Sequence, residues 1–240
     1  MLEQLLTGVD LYCERTAAEF WSEPVNALTN LAFVAAGLWG VNQVRKHQAG
    51  GFAEVLAWWV VAIGVGSGLF HTFANRLTIG ADVLPIAGFT LAYTILNLRR
   101  FLGLGWAKTL VILFAFYAIA GFLTFMVPDA IRHATNGSTG YLPPFLALVF
   151  FGALVLAKGH PAGWYNLAAA SLFLVSVTFR ALDPQICNAF PLGTHFLWHT
   201  LTALMLGVIL AAVARYGGPG QPIHKKTAGH QPGGLFGKMS

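Results

Sequence analysis

His195 and His199 stand four residues apart, Ser67 and His71 likewise, and Asp82 follows eleven residues after His71. All five fall within or at the ends of strongly apolar stretches. An ionisable or ligand-type side chain there costs on the order of a few kcal/mol and therefore faces a site rather than lipid. A spacing of i, i+4 puts both members of a pair on one helical face, a turn apart. His195 and His199 can thus grip one ion from a single rigid helix, as the two histidines of the zincin helix do, and His71 can supply a third nitrogen. Three histidines with an open fourth position describe a catalytic zinc, because a structural zinc is closed by a fourth protein ligand. Zinc lowers the pKa of its water to roughly 7, so a carboxylate within reach can take that proton and hand it to a leaving amine. Asp82 is the expected base and acid. Ser67, one turn before His71, is expected to hydrogen-bond the water or a developing oxyanion.

The elements that must position these residues are membrane helices. Of the 240 residues 56% are apolar and only 10% charged, against roughly 25% charged in soluble domains. Seven apolar runs stand out: Val25 to Val44, Glu54 to Phe73, Ala81 to Leu98, Ala107 to Val127, Leu142 to Ala157, Ala162 to Phe179 and His195 to Ala214. Most approach the ~20 residues that cross a bilayer core. In the fifth and shortest, Pro143 and Pro144 suit a first helical turn. The expected fold is an all-α integral membrane bundle of seven transmembrane helices.

Seven crossings put ten Lys and Arg on one side, among them Arg45, Lys46, Arg99, Arg100 and Lys158, and four (Arg15, Arg76, Arg132, Arg180) on the other. The positive-inside rule then places the N-terminus outside, in periplasm or lumen, and the C-terminus in the cytoplasm. The net charge of +5 is a topology signal, and no aromatic-interleaved basic patch points to nucleic acid. Residues 1–24 read as an outer segment without a cleaved signal peptide, 25–215 as one seven-helix domain, and 216–240, rich in Gly, Pro and Lys, as a disordered cytoplasmic tail. With this topology Ser67 and His71 lie near the outer end of the second span, where the third and seventh begin with Asp82, His195 and His199. Five polar residues from three helices share one depth.

Blander readings exist for each residue. A lone histidine in a span is more often a helix-to-helix hydrogen-bonder than a ligand; the joint pattern outweighs that reading here. Asp82 is the one carboxylate well placed inside an outer-facing span end, the other acids falling in outer segments or, as Glu54, at the cytoplasmic interface. His47, His133, His160, His224 and His230 read as solvated loop or tail residues, and Asn26 and Asn30 either orient a ligand or, the favoured reading, bond neighbouring helices. Cys13 and Cys187 both lie outside, where disulfides persist, so a bridge or two free thiols are open alternatives.

At these residues the chain resembles the alkaline ceramidase family, within the CREST superfamily of seven-helix membrane hydrolases and receptors. The matching pieces are Gly-Ser-Gly-Leu-Phe-His ending at His71, Asp82, and His-Phe-Leu-Trp-His from His195 to His199. Tyr12-Cys13-Glu14 and Glu19-Phe20-Trp21 followed by Asn26 resemble the family's N-terminal motif, and the resemblance spans about residues 10–214. It implies a zinc-dependent amidase that cleaves the N-acyl bond of ceramide to a sphingoid base and a fatty acid, with zinc on His71, His195 and His199. The family also carries a calcium site built from N-terminal acids, for which Asp10, Glu14, Glu19 and Glu23 are the candidates here; a solvated acidic segment is the alternative. Asp10 sits further from Glu14 than the family's spacing, and the Glu14 to Glu19 segment is shorter.

Two other functions compete. A transporter would also place ionisable groups in helices, but carriers usually bind near the midplane between inverted repeats, and the sequence has no evident repeat. A zinc-containing lipid receptor of the same superfamily shares the metal pocket, with the opposite orientation.

Overall fold

The described residues, 2–219 of this computed structural model, form an all-α bundle. Seven helices are long and apolar enough to cross a membrane: Pro24–Lys46, Gly51–Phe73, Arg76–Phe101, Trp106–Phe125, Ser138–Ala157, Ala162–Ile186 and His195–Tyr216, here the first to seventh spans. Each contains the core of one apolar run, and the differences lie at the ends. The fifth span opens with a 3-10 turn, Ser138–Tyr141, ahead of Pro143 and Pro144 in the first α-helical turn, where a missing N–H is harmless. The third begins earlier than its apolar run, at Arg76. There the Asn75 side chain caps the Thr78 N–H and Thr78 Oγ1 accepts the Asn75 N–H. Asp82 therefore lies in the second turn, not at the head. The sixth continues beyond Phe179 to Ile186 and takes Arg180 and Asp183 into the helix. Of the expected tail, residues 220–240 lie outside the described ones.

The seventh span is the hub and packs against the first, second and sixth; the second packs on the first and third, the fifth on the fourth and sixth. Small residues let backbones close up, as membrane helices require. On the second span, Gly64 faces Phe33 and the Asn30 carbonyl of the first, while Gly66 faces the third. A methyl group on Gly66 would sit 2.0 Å from the Ala81 carbonyl oxygen. The proline inside the third span, Pro85, explains that oxygen. Lacking an N–H, it leaves the carbonyl four residues earlier without its helical donor. The third span therefore meets the second at Ala81, beside Ser67 and Asp82.

Between the third and fifth spans the packing opens into a groove of about 530 Å³, lined by Val83, Ile86, Tyr117, Tyr141, Pro144 and Arg180. A narrower apolar pocket shares Ile86, Thr90 and Pro144 with it and runs inward past Phe89, Trp198 and Met205.

Candidate metal centre

His71, His195 and His199 meet at the end of the bundle that carries the N-terminal segment. All three are fully buried, and one nitrogen of each ring lies within 4.8 Å of those of the other two. The ring centroids are 5.0 Å (His71 to His195), 4.7 Å (His71 to His199) and 4.5 Å (His195 to His199) apart. Each ring also has one buried nitrogen without a hydrogen-bond partner: Nε2 of His71, Nδ1 of His195 and Nε2 of His199. Orphaned buried polar atoms are costly. Three on adjacent rings are what a metal ion would satisfy, and the residues fit one.

The remaining nitrogens explain which atoms are free. His71 Nδ1 lies 2.6 Å from Glu23 Oε2; a carboxylate only accepts, so the Nδ1 proton is donated and Nε2 keeps its lone pair. His199 Nδ1 lies 2.9 Å from Thr29 Oγ1. That hydroxyl has its own proton committed to the Val25 or Asn26 carbonyl, at 2.9 and 3.0 Å, so it accepts from Nδ1 and Nε2 is again free. Such outer partners set the tautomer of metal-binding histidines. His195 is held differently: the Tyr12 ring stacks on it at 3.5 Å, and its backbone N–H donates to Asp183.

Glu23 also takes Arg15 Nε at 2.5 Å, both side chains buried. Burial alone would raise the Glu23 carboxyl, but hydrogen bonds from His71 and Arg15 and the charge of Arg15 hold it below the usual carboxylate range. Burial pushes the Tyr12 phenol up, against the pull of Arg180. Cys13, next to Tyr12, is disulfide-bonded to Cys187. Of the two alternatives left open by the sequence, the bridge is the one present.

Ser67 is buried one turn before His71 and its hydroxyl lies against the Asp82 carboxyl, which also feels the charge of Arg180. Arg180 donates to Tyr12 Oη at 3.2 Å and to Ser138 Oγ at 2.7 Å, with its guanidinium 5.1 Å from the Tyr141 ring centroid. Arg180 and Tyr141 also line the groove between the third and fifth spans, and Arg180 bonds Tyr12, whose ring stacks on His195.

The structure thus brings together Ser67, His71, Asp82, His195 and His199, all expected, and adds Arg15, Glu23, Thr29, Tyr12, Arg180 and Asp183. The four acids expected to bind calcium do not gather. Glu14 accepts the Val25 and Asn26 N–H groups at 2.7 and 2.8 Å and so caps the first span, Glu23 serves His71 and Arg15, and Asp10 and Glu19 are exposed. Among the described residues the three histidines form the one cluster able to hold a metal. Asp183 is not in an outer segment but fully buried in helix. His160 is buried rather than solvated, its Nδ1 accepting the Ala162 N–H at 3.2 Å. Asn26 and Asn30 bond within their own segment, to Glu23 and to the Asn26 carbonyl, rather than between helices.

Compared with known proteins, the chain matches no family model and no curated sequence.

Proposed function

We propose that the protein is a zinc-dependent amide hydrolase of membrane lipids, with ceramide or a related N-acyl lipid as substrate. The observation that carries the reading is the convergence of three orphaned ring nitrogens, one turn from Ser67 and beside Asp82, with Arg180 shared between the surroundings of Asp82 and the lining of a neighbouring groove. Three imidazoles suit zinc and leave coordination positions open, as catalytic sites do.

His71, His195 and His199 would hold the ion. When bound, zinc supplies a Lewis acid and brings the pKa of a coordinated water to roughly 7. The protein's own groups do the rest. Asp82 accepts a proton at its carboxylate and returns it to the departing amine, and the Ser67 hydroxyl donates to that carboxylate and fixes its orientation. The lateral groove takes the apolar chains, while Arg180 and Tyr141 offer donors to the polar head. The bias of Lys and Arg toward the opposite loops supports a site at the outer face of the membrane.

The test is to incubate purified protein with a panel of N-acyl lipids, with and without a chelator, and measure released fatty acid. Chelator-sensitive release supports hydrolysis; lipid binding without release from any member of the panel favours a receptor.

A further inference from the structure

A calcium ion among the N-terminal acids is the expectation that fits the structure least. Of the four acids only the Glu23 carboxylate meets a cation among the described residues, and that cation is Arg15, whose residue is only 6% exposed. Its Nε donates to Glu23 Oε1 at 2.5 Å, Nη1 to the Ala17 carbonyl at 3.2 Å and the Glu19 carbonyl at 3.4 Å, and Nη2 to the His71 carbonyl at 3.2 Å. One carboxylate and three carbonyl oxygens are the kind of set a hard divalent cation recruits. Here they converge on a guanidinium.

We propose that Arg15 is the built-in cation of this end of the bundle, standing in for a divalent ion, and that it is a positioning residue for the metal ligand His71. The guanidinium is permanently charged and presents a rigid fork of donors. It reaches His71 twice, through its Nη2 bond to the His71 carbonyl and through Glu23, whose other oxygen takes the Nδ1 proton. Backbone and ring of one ligand are thereby fixed by a single side chain from the N-terminal segment. Glu23 without Arg15 would be a buried carboxylate with only a neutral imidazole and the Asn26 amide beside it. Its hold on His71 would slacken. The inference rests on the three-histidine metal site and not on hydrolysis, so its test reads metal binding alone and can fail while fatty acid is still released.

The experiment is a calcium chloride titration by calorimetry on the zinc-loaded wild type, followed by zinc affinity and the cobalt(II) visible spectrum of wild type, Arg15→Lys and Arg15→Ala. Wild type is expected to show no calcium heat and an unaltered cobalt spectrum in calcium. Arg15→Ala is expected to lose about 10- to 100-fold in zinc affinity and to shift the cobalt bands, with millimolar guanidinium ion restoring both in part. Arg15→Lys, which keeps charge but not the fork, falls between. Stoichiometric calcium binding by the wild type overturns the proposal, as does an Arg15→Ala protein with wild-type zinc affinity and cobalt spectrum. If Arg15→Ala does not fold, the wild-type titration and Arg15→Lys decide the matter on the same criteria.

Discussion

The Asp183 carboxylate accepts the backbone N–H of His195 at 2.9 Å, so the sixth span anchors the first turn of the helix that presents two of the three clustered histidines. The same carboxylate takes the N–H groups of Thr194 at 2.6 Å and Cys13 at 3.0 Å. Thr194 makes no side-chain cap of its own, and Asp183 caps the seventh span from a neighbouring helix, where negative charge also suits the helix dipole. Gly193, at φ +68°, makes room for it: a methyl group there would lie 2.1 Å from Asp183 Oδ1.

Asp183→Ala strands two buried N–H groups, of Cys13 and His195, and the part-buried one of Thr194, a buried one being worth about 1–3 kcal/mol when unsatisfied. Its loss of stability should reach about 3 kcal/mol or more, measured by denaturant unfolding in detergent, with zinc affinity falling in parallel. A variant of unchanged stability would show that water replaces the carboxylate without cost.

Gly66→Ala tests the contact between the second and third spans. Its new methyl group meets the Ala81 carbonyl, and the third span must move away, carrying Asp82 from Ser67 and His71. A misplacement of about 1 Å costs on the order of 100-fold in rate, so under the proposed function cleavage of any N-acyl lipid the wild type turns over should fall by that factor while zinc content stays near wild type. Parallel loss of zinc and activity would instead mean that the whole site is disrupted.

The seven spans and the histidine cluster were legible because both rest on strong signals: uniform apolarity over bilayer length, and i, i+4 pairs that topology brings to one depth. Asp82 was legible as a carboxylate inside an apolar run. Arg180 and Asp183 were not, because they follow the apolar stretch that ends at Phe179 and read as loop; tertiary bonds to Tyr12, Ser138 and the head of the seventh span carry that helix on to Ile186 despite Pro184. Arg15 and Glu23 lie in a segment without periodicity, where pairing across eight residues and contact with His71 depend on the chain path. The acids there suggested a bound ion because carboxylate composition cannot tell an external cation from an arginine of the same segment.

The Cys13–Cys187 bridge closes a loop of 174 residues and ties the segment carrying Tyr12 to the chain before the seventh span. Replacing both cysteines by serine should lower stability by about 2–4 kcal/mol and loosen the Tyr12 ring from His195. Thermal unfolding with and without zinc checks this; equal midpoints for wild type and the double variant in both conditions would contradict it.

Acid sensitivity follows from Glu23. Its folded-state pKa lies below the ordinary 4.5, so the stability it contributes is complete above that value and is lost as pH falls through the lowered one. In chelator, the thermal midpoint of the wild type should drop as pH goes from about 5 toward 3, and Glu23→Gln should be less stable at neutral pH with a shallower acid limb. An acid limb of equal depth in the variant counts against the assignment.

Asp82→Asn separates chemistry from metal binding. It should retain zinc and lose turnover of any N-acyl lipid the wild type cleaves by about 100-fold or more, the usual worth of a proton-transfer group. Turnover at the wild-type rate would remove Asp82 from the acid and base role.

The most direct test of the metal centre is elemental analysis of protein purified under gentle extraction, beside His71→Ala, His195→Ala and His199→Ala. One zinc ion per chain in the wild type, lost from each of the three variants, is the predicted result. A wild-type protein without transition metal, or zinc that persists when these histidines are replaced, would contradict the central claim.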